Sequence, residues 1–162
     1  MTPMRLRHEL SYDAPPAAVL AMLADPAYWD EVAKATAAIS SKATVTTSGD
    51  RTIVKVDQEQ AVQGVPSFAK KFVGESTRAI NTFAWRGQTA DYTVETPGKP
   101  TSMAGTATVT GDDAGSTLVY DVEVKASVPL IGGKLEKLVV DLTTEGFVKE
   151  QGVGAAWLAG GR

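Results

Sequence analysis

The chain has 162 residues, no cysteine, one histidine and a net charge of -3 from 16 Lys and Arg against 19 Asp and Glu. That length suffices for one self-sufficient core, while the missing thiols exclude disulfides, thiolate metal sites and a cysteine nucleophile, and the single histidine excludes a two-histidine zinc motif. The basic residues are scattered rather than clustered, which argues against nucleic acid, and no apolar run approaches the roughly 20 residues of a membrane span.

In chain order, the first segment alternates. Leu6, His8, Leu10 and Tyr12 share one parity and Arg5, Arg7, Glu9 and Ser11 the other, which predicts a half-buried strand from Met4 to Tyr12. The same charges interrupt any continuous apolar stretch of the kind an export signal needs. Asp13-Ala14-Pro15-Pro16 then turns the chain, and Val19, Leu20 and Leu23 follow at helical spacing to about Ala24. Asp25-Pro26 breaks that helix, and Tyr28, Trp29 and Val32 begin a second short one. From Ala38 to Val128 the sequence is rich in Thr and Val and is punctuated by Ser48-Gly49-Asp50, Arg86-Gly87, Thr96-Pro97-Gly98-Lys99-Pro100 and Gly111-Asp112-Asp113-Ala114-Gly115. This predicts about six strands joined mostly as hairpins, with one helical turn around Pro66 to Lys71.

The clearest strand runs from Thr117 to Val128, with Leu118, Tyr120, Val122 and Val124 on one face and Asp121, Glu123 and Lys125 on the other. Arg51 to Gln60 sets Val54, Val56, Gln58 and Gln60 against Lys55, Asp57 and Glu59. The parity of Val73 to Trp85 is mixed and assigns no inner face. Past Pro129, Leu135, Leu138, Val139 and Leu142 recur at helical spacing, and the pattern continues through Phe147 and Val153 to Trp157. This predicts a long amphipathic terminal helix, with Gly146, Gly152 and Gly154 favouring a kinked or frayed second half.

A strand, two short helices, about six antiparallel strands and a long terminal helix is the element order of the helix-grip fold of the START-like, or SRPBCC, superfamily. The words agree with the order: Tyr12-Asp13-Ala14-Pro15, Leu23-Ala24-Asp25-Pro26 and Tyr28-Trp29 resemble that superfamily's opening. Trp85, the Pro100 to Gly105 stretch and Val128-Pro129-Leu130-Ile131-Gly132-Gly133-Lys134-Leu135-Glu136-Lys137-Leu138 look like the actinobacterial family DUF2505. The resemblance implies an α+β fold in which a curved antiparallel sheet of about seven strands wraps around the C-terminal helix. It also implies a cavity of the kind in which superfamily relatives bind lipids, sterols, polyketides or plant hormones, some acting as aromatase-cyclases.

The expected lining combines the inward parities with these words. It comprises His8, Tyr12, Val54, Val56, Gln58, Trp85, Tyr92, Val94, Met103, Leu118, Tyr120 and Val122, facing Leu135, Leu138 and Leu142 of the helix. The same side chains could instead pack solid, because parity does not distinguish a core from a pocket. His8 reads either as a general base or polar handle, or as a hydrogen-bonded core histidine; the second is preferred, since no acid or nucleophile accompanies it. Tyr92 and Tyr120 need partners for their hydroxyls. Asp57 with Glu59 and Asp121 with Glu123 share faces opposite the valines and read as solvated surface. Gly132-Gly133-Lys134 lacks the spacing of a phosphate loop; by resemblance it forms a lip at the cavity mouth.

The expectation is therefore a cytoplasmic single domain spanning residues 1–162, a monomer or weak homodimer without cofactor or metal, that carries or senses a small hydrophobic molecule such as a lipid, fatty acyl or polyketide-like compound. Two alternatives stay open: a cyclase or aromatase in which His8 and a tyrosine move protons, and a ligand-free interaction domain using Trp29, Trp157 or a strand edge.

Overall fold

The computed structural model describes residues 3–62 and 64–160. Seven strands and four helices follow in the order β1 (Met4–Tyr12), α1 (Pro16–Leu23), α2 (Pro26–Ala35), β2 (Ser40–Ser48), β3 (Arg51–Ala61), α3 (Ser67–Val73), β4 (Ser76–Arg86), β5 (Thr89–Glu95), β6 (Thr101–Asp112), β7 (Gly115–Ala126) and α4 (Gly132–Leu158). The six predicted strands between Ala38 and Val128 are β2 to β7. Pro16 and Pro26 start the two short helices where a missing N–H costs nothing, and the Asp25 carboxylate caps α2 by accepting from the Ala27 N–H at 3.0 Å.

The strands form one curved antiparallel sheet in the order β1-β7-β6-β5-β4-β3-β2. Each chain neighbour from β2 to β7 pairs antiparallel, as hairpins except for β3 and β4, which α3 connects, and β1 closes onto β7, with His8 opposite Tyr120 and Leu10 opposite Leu118. This register sets the inner parities of β1 and β7 side by side. On β7 every second residue from Ser116 to Ala126 is buried. The outer face is held by charge pairs between neighbouring strands: Arg5 donates twice to Asp121, and Arg78 twice to Asp57. Those carboxyls are pulled below their usual range by the arginine hydrogen bonds, which fits the solvated surface expected of Asp57 and Asp121. Gly105 lets β6 approach β7 closely, because a Cβ there would lie 2.0 Å from the Asp121 carbonyl oxygen.

The main core lies between the inner face of the sheet and the helices α1, α2 and α4. A second cluster joins Ala69 and Val73 of α3 to Ala126, Val128 and Leu135, so α3 seals the end of the sheet beside the start of α4. There the buried Glu136 carboxylate accepts the Ala126 N–H at 2.9 Å, satisfying a backbone donor at the end of β7.

The glycines do not break α4, which runs unbroken for 27 residues. They differ in what surrounds them. A Cβ on Gly152 meets nothing within 4 Å, whereas one on Gly154 would lie 2.6 Å from the Tyr12 ring. Gly154 is where α4 lies directly on β1. Gly152→Ala should therefore stabilise the protein by about 0.5–1 kcal/mol through helix propensity. Gly154→Ala should destabilise it by about 1–2 kcal/mol despite the same propensity gain, because overpacking outweighs it. Urea denaturation of the two variants checks this; equal effects would show that the Tyr12 contact does not constrain the helix.

Candidate functional site

Helix α4 rests mainly on β1 and β7 and on α1 and α2. Farther along the sheet, between α4 and strands β3 to β6, a cavity of about 570 Å³ remains. Its sheet wall is built from Val56 and Gln58 of β3, Ala79, Asn81 and Phe83 of β4, Tyr92 and Val94 of β5 and Met103 of β6. Its helix wall is one face of α4, Val139, Leu142, Thr143, Gly146, Phe147 and Glu150, whose spacing of three or four residues keeps them in a single stripe. Trp29 and Val32 of α2 contribute a third side. Ala61, Leu142, Glu145 and Lys149 are exposed as well as lining, which marks where the cavity meets solvent. A smaller depression of about 420 Å³, between the turn after β1 and the end of α4, contains no buried acid.

The structure divides the expected lining residues. Val56, Gln58, Tyr92, Val94, Met103 and Leu142 lie on the cavity wall. Val54, Trp85, Leu118, Tyr120 and Val122 do face inward, but they pack into the core where sheet and helices meet. Leu135 and Leu138 belong to the second cluster against α3, beyond the end of the cavity. Tyr12 is buried against Gly154, its hydroxyl beside that of Tyr28 and without a well-formed hydrogen bond. His8 is half-buried and does not line the cavity; its ring lies 5.6 Å from that of Phe147. Trp29 and Trp157, considered as an interaction surface, are both buried. The loop before α4 also departs from the expected lip: residues 129–134 do not line the cavity. Leu130 stands fully exposed there at φ 71°.

Aromatic rings link these parts. Trp29 meets Phe83 at 5.4 Å, Phe83 meets Tyr92 at 4.6 Å, Tyr92 meets Tyr120 at 5.2 Å, and Tyr120 stacks on Phe147 at 4.1 Å with a 4° interplanar angle. The array therefore runs from α2 across the sheet to α4. The Tyr92 hydroxyl donates to Asn81 Oδ1 at 2.9 Å, and Tyr28 donates to the Glu150 carbonyl at 3.3 Å.

Glu150 is the residue that sequence reasoning missed. It is 5% exposed and lines the cavity, and its Oε2 accepts the Tyr120 hydroxyl at 2.8 Å. Among the described residues this is the carboxyl group's only hydrogen bond, and no cationic side chain pairs with it. Burial pushes its pKa from 4.5 up to about 8, against the opposing pull of the Tyr120 hydrogen bond. The same desolvation, reinforced by Glu150, raises the pKa values of Tyr92 and Tyr120. The available signal was its place on the α4 stripe, three residues after Phe147. That signal was hidden because acids on amphipathic helices ordinarily face water.

The raised pKa has a definite thermodynamic sign. Between about pH 4.5 and 8 the folded protein holds a proton that the unfolded chain has lost. The stability gained is full below that window and is lost as pH rises through 8. Glu150→Gln should remove this component. The variant should gain on the parent by up to about 1.4 kcal/mol per pH unit across the window, then level off. Denaturation at pH 5 to 9 measures this, and parallel curves for parent and variant would show that Glu150 is ionised in the folded state.

The fold has counterparts among solved structures. A START superfamily protein from Mycobacterium smegmatis superposes with a TM-score of 0.59 at 12% identity, covering 95% of this chain and 98% of that one. A STAR-related lipid transfer protein from Xanthomonas axonopodis gives 0.57 at 15% identity, covering 94% and 84%. The di-domain ARO/CYC protein StfQ of the steffimycin biosynthetic pathway gives 0.63 at 11% identity, covering 96% of this chain and 50% of that one. At these identities the likeness establishes the START-like, helix-grip fold. No curated protein matches the sequence. A family model described as a protein of unknown function, DUF2505, matches residues 7–158.

Proposed function

The chain belongs to the DUF2505 family, and from that premise we propose that it binds a small hydrophobic molecule between the sheet and α4, as a carrier or sensor acting as one domain. The observation that carries this reading is the 570 Å³ cavity walled by Val56, Phe83, Val94, Met103, Val139 and Phe147. Its volume falls within the roughly 300–1,000 Å³ of small-molecule sites, and an apolar wall with a few fixed polar groups is their usual composition. Gln58, Asn81 and Glu150 supply those groups here. The fold supports the same reading, since similar structures include a lipid transfer protein and an ARO/CYC protein. The ligand class extends from lipid and fatty acyl to polyketide-like compounds, and the protein works without a cofactor.

A second reading, a cyclase or aromatase, draws on Glu150 rather than His8. A carboxyl titrating near neutrality inside a cavity is suited to general acid–base work, whereas His8 does not line the cavity.

Ala79 lines the cavity from β4 and is only half-buried, so Ala79→Phe should occupy space without disturbing the core. Native mass spectrometry of the purified protein should reveal a bound apolar molecule, and an uncharged fluorescent fatty-acyl ester probe should bind at micromolar Kd. In the variant, probe affinity should fall at least roughly ten-fold, about 1.4 kcal/mol, with Tm little changed. Absence of both copurifying ligand and probe binding in the parent protein would remove the proposal.

A further inference from the structure

We infer that the cavity selects apolar molecules carrying a basic nitrogen, whose protonated amine pairs with the Glu150 carboxyl among the surrounding aromatic rings; the inference rests on the reading of the cavity as a hydrophobic-ligand site.

The starting point is an acid without a counter-charge. A buried carboxyl is ordinarily paired with a cation or saturated with donors. Glu150 has the Tyr120 hydroxyl and, among the described residues, no Lys, Arg or His. The titratable groups facing it are tyrosines: Tyr12 from β1, Tyr28 from α2, Tyr92 from β5 and Tyr120 from β7. On its own helix, Glu145 and Lys149 are exposed. The partner that the carboxyl lacks is therefore a cation, and the cavity is the space from which one can arrive.

The walls favour the same guest. Trp29, Phe83, Tyr92 and Phe147 line the cavity, and aromatic faces attract ammonium groups, most strongly when water is excluded. An anionic guest such as a fatty acid finds no buried cation to receive it, only neutral donors such as the Gln58 amide. The Tyr120 hydroxyl is committed to Glu150, that of Tyr92 to Asn81 and that of Tyr28 to the Glu150 carbonyl. The lining cation, Lys149, faces solvent. A neutral alcohol gains only an ordinary hydrogen bond, whereas an ammonium gains a charge-assisted one. Below about pH 8 the pairing expels the proton that burial keeps on Glu150, so amine binding should strengthen as pH rises. The amine itself stays protonated until about pH 10.4, the lysine value.

Octylamine, octanol and octanoate share a chain and differ in head group, so titration calorimetry with the full-length protein separates the two levels of the claim. At pH 8 octylamine should bind at least roughly ten-fold tighter than octanol, with octanoate weakest. In Glu150→Gln octylamine should lose its advantage over octanol. In the unmodified protein, octylamine affinity should rise several-fold from pH 6 to 8.5 while that of octanol stays flat, a result that does not depend on the variant folding. Equal affinity for the three probes, a pH-independent amine preference, or an amine preference surviving in Glu150→Gln would each overturn the inference while leaving the hydrophobic site intact. Binding of none of the three would overturn both.

Discussion

The off-centre seating of α4 is the constraint on which the site depends. The helix is fastened at one side of the sheet, where Tyr120 stacks on Phe147 and Gly154 admits the Tyr12 ring. The short helices α1 and α2 brace it from the flank. Because β1 joins β7, these anchors are neighbours in the sheet although they stand at opposite ends of the sequence. Over β3 to β6 the sheet parts from the helix and leaves the cavity between them. Close packing at one side and empty volume at the other are thus two results of one geometry. A helix seated centrally would have filled the space with its own leucines.

Glu150 sits where those two regimes meet. Its carbonyl accepts from Tyr28 and its carboxyl from Tyr120, so it is fixed by the packed side, yet it lines the open side. A carboxyl so enclosed is costly to ionise, and the fold accepts that cost without supplying an arginine or lysine to relieve it. The outer face shows the contrast: there each Asp of the Arg5–Asp121 and Arg78–Asp57 pairs meets a bidentate arginine. The cavity acid is the one left to deal with whatever enters.

How much of this was legible in the sequence follows from where the burial pattern is complete. On β7 every inward residue is apolar or aromatic from Leu118 to Ala126, and alternation predicted both its faces; its pairing with β1 joins the two ends of the chain and is long-range information that alternation does not carry. The mixed parity of the segment containing β4 has a physical cause: Thr77, Ala79 and Asn81 face the cavity and need not be apolar, while Ile80 lies on the opposite face. A strand that lines a cavity loses the alternation that would announce it. Along α4 the helical period was plain, but it could not say that Leu135 and Leu138 serve the cluster beneath α3 while only later turns face the cavity. That division depends on where β7 ends and α3 lies, which is long-range information. Glu150 was hidden for the complementary reason, because a charged residue on a helix is assigned to water unless the opposing surface is known.

Gly146 carries a consequence beyond helix geometry. It lies on the cavity stripe of α4, and a Cβ built there would meet no atom within 4 Å. The wall therefore has a position where a methyl group can be added without displacing any neighbour and with some gain in helix propensity. On the proposed reading, the position that would limit guest size and the one that would read guest charge lie one turn apart on the same helix. A substitution at Gly146 would then shorten the space open to a guest while leaving the Glu150 carboxyl in place.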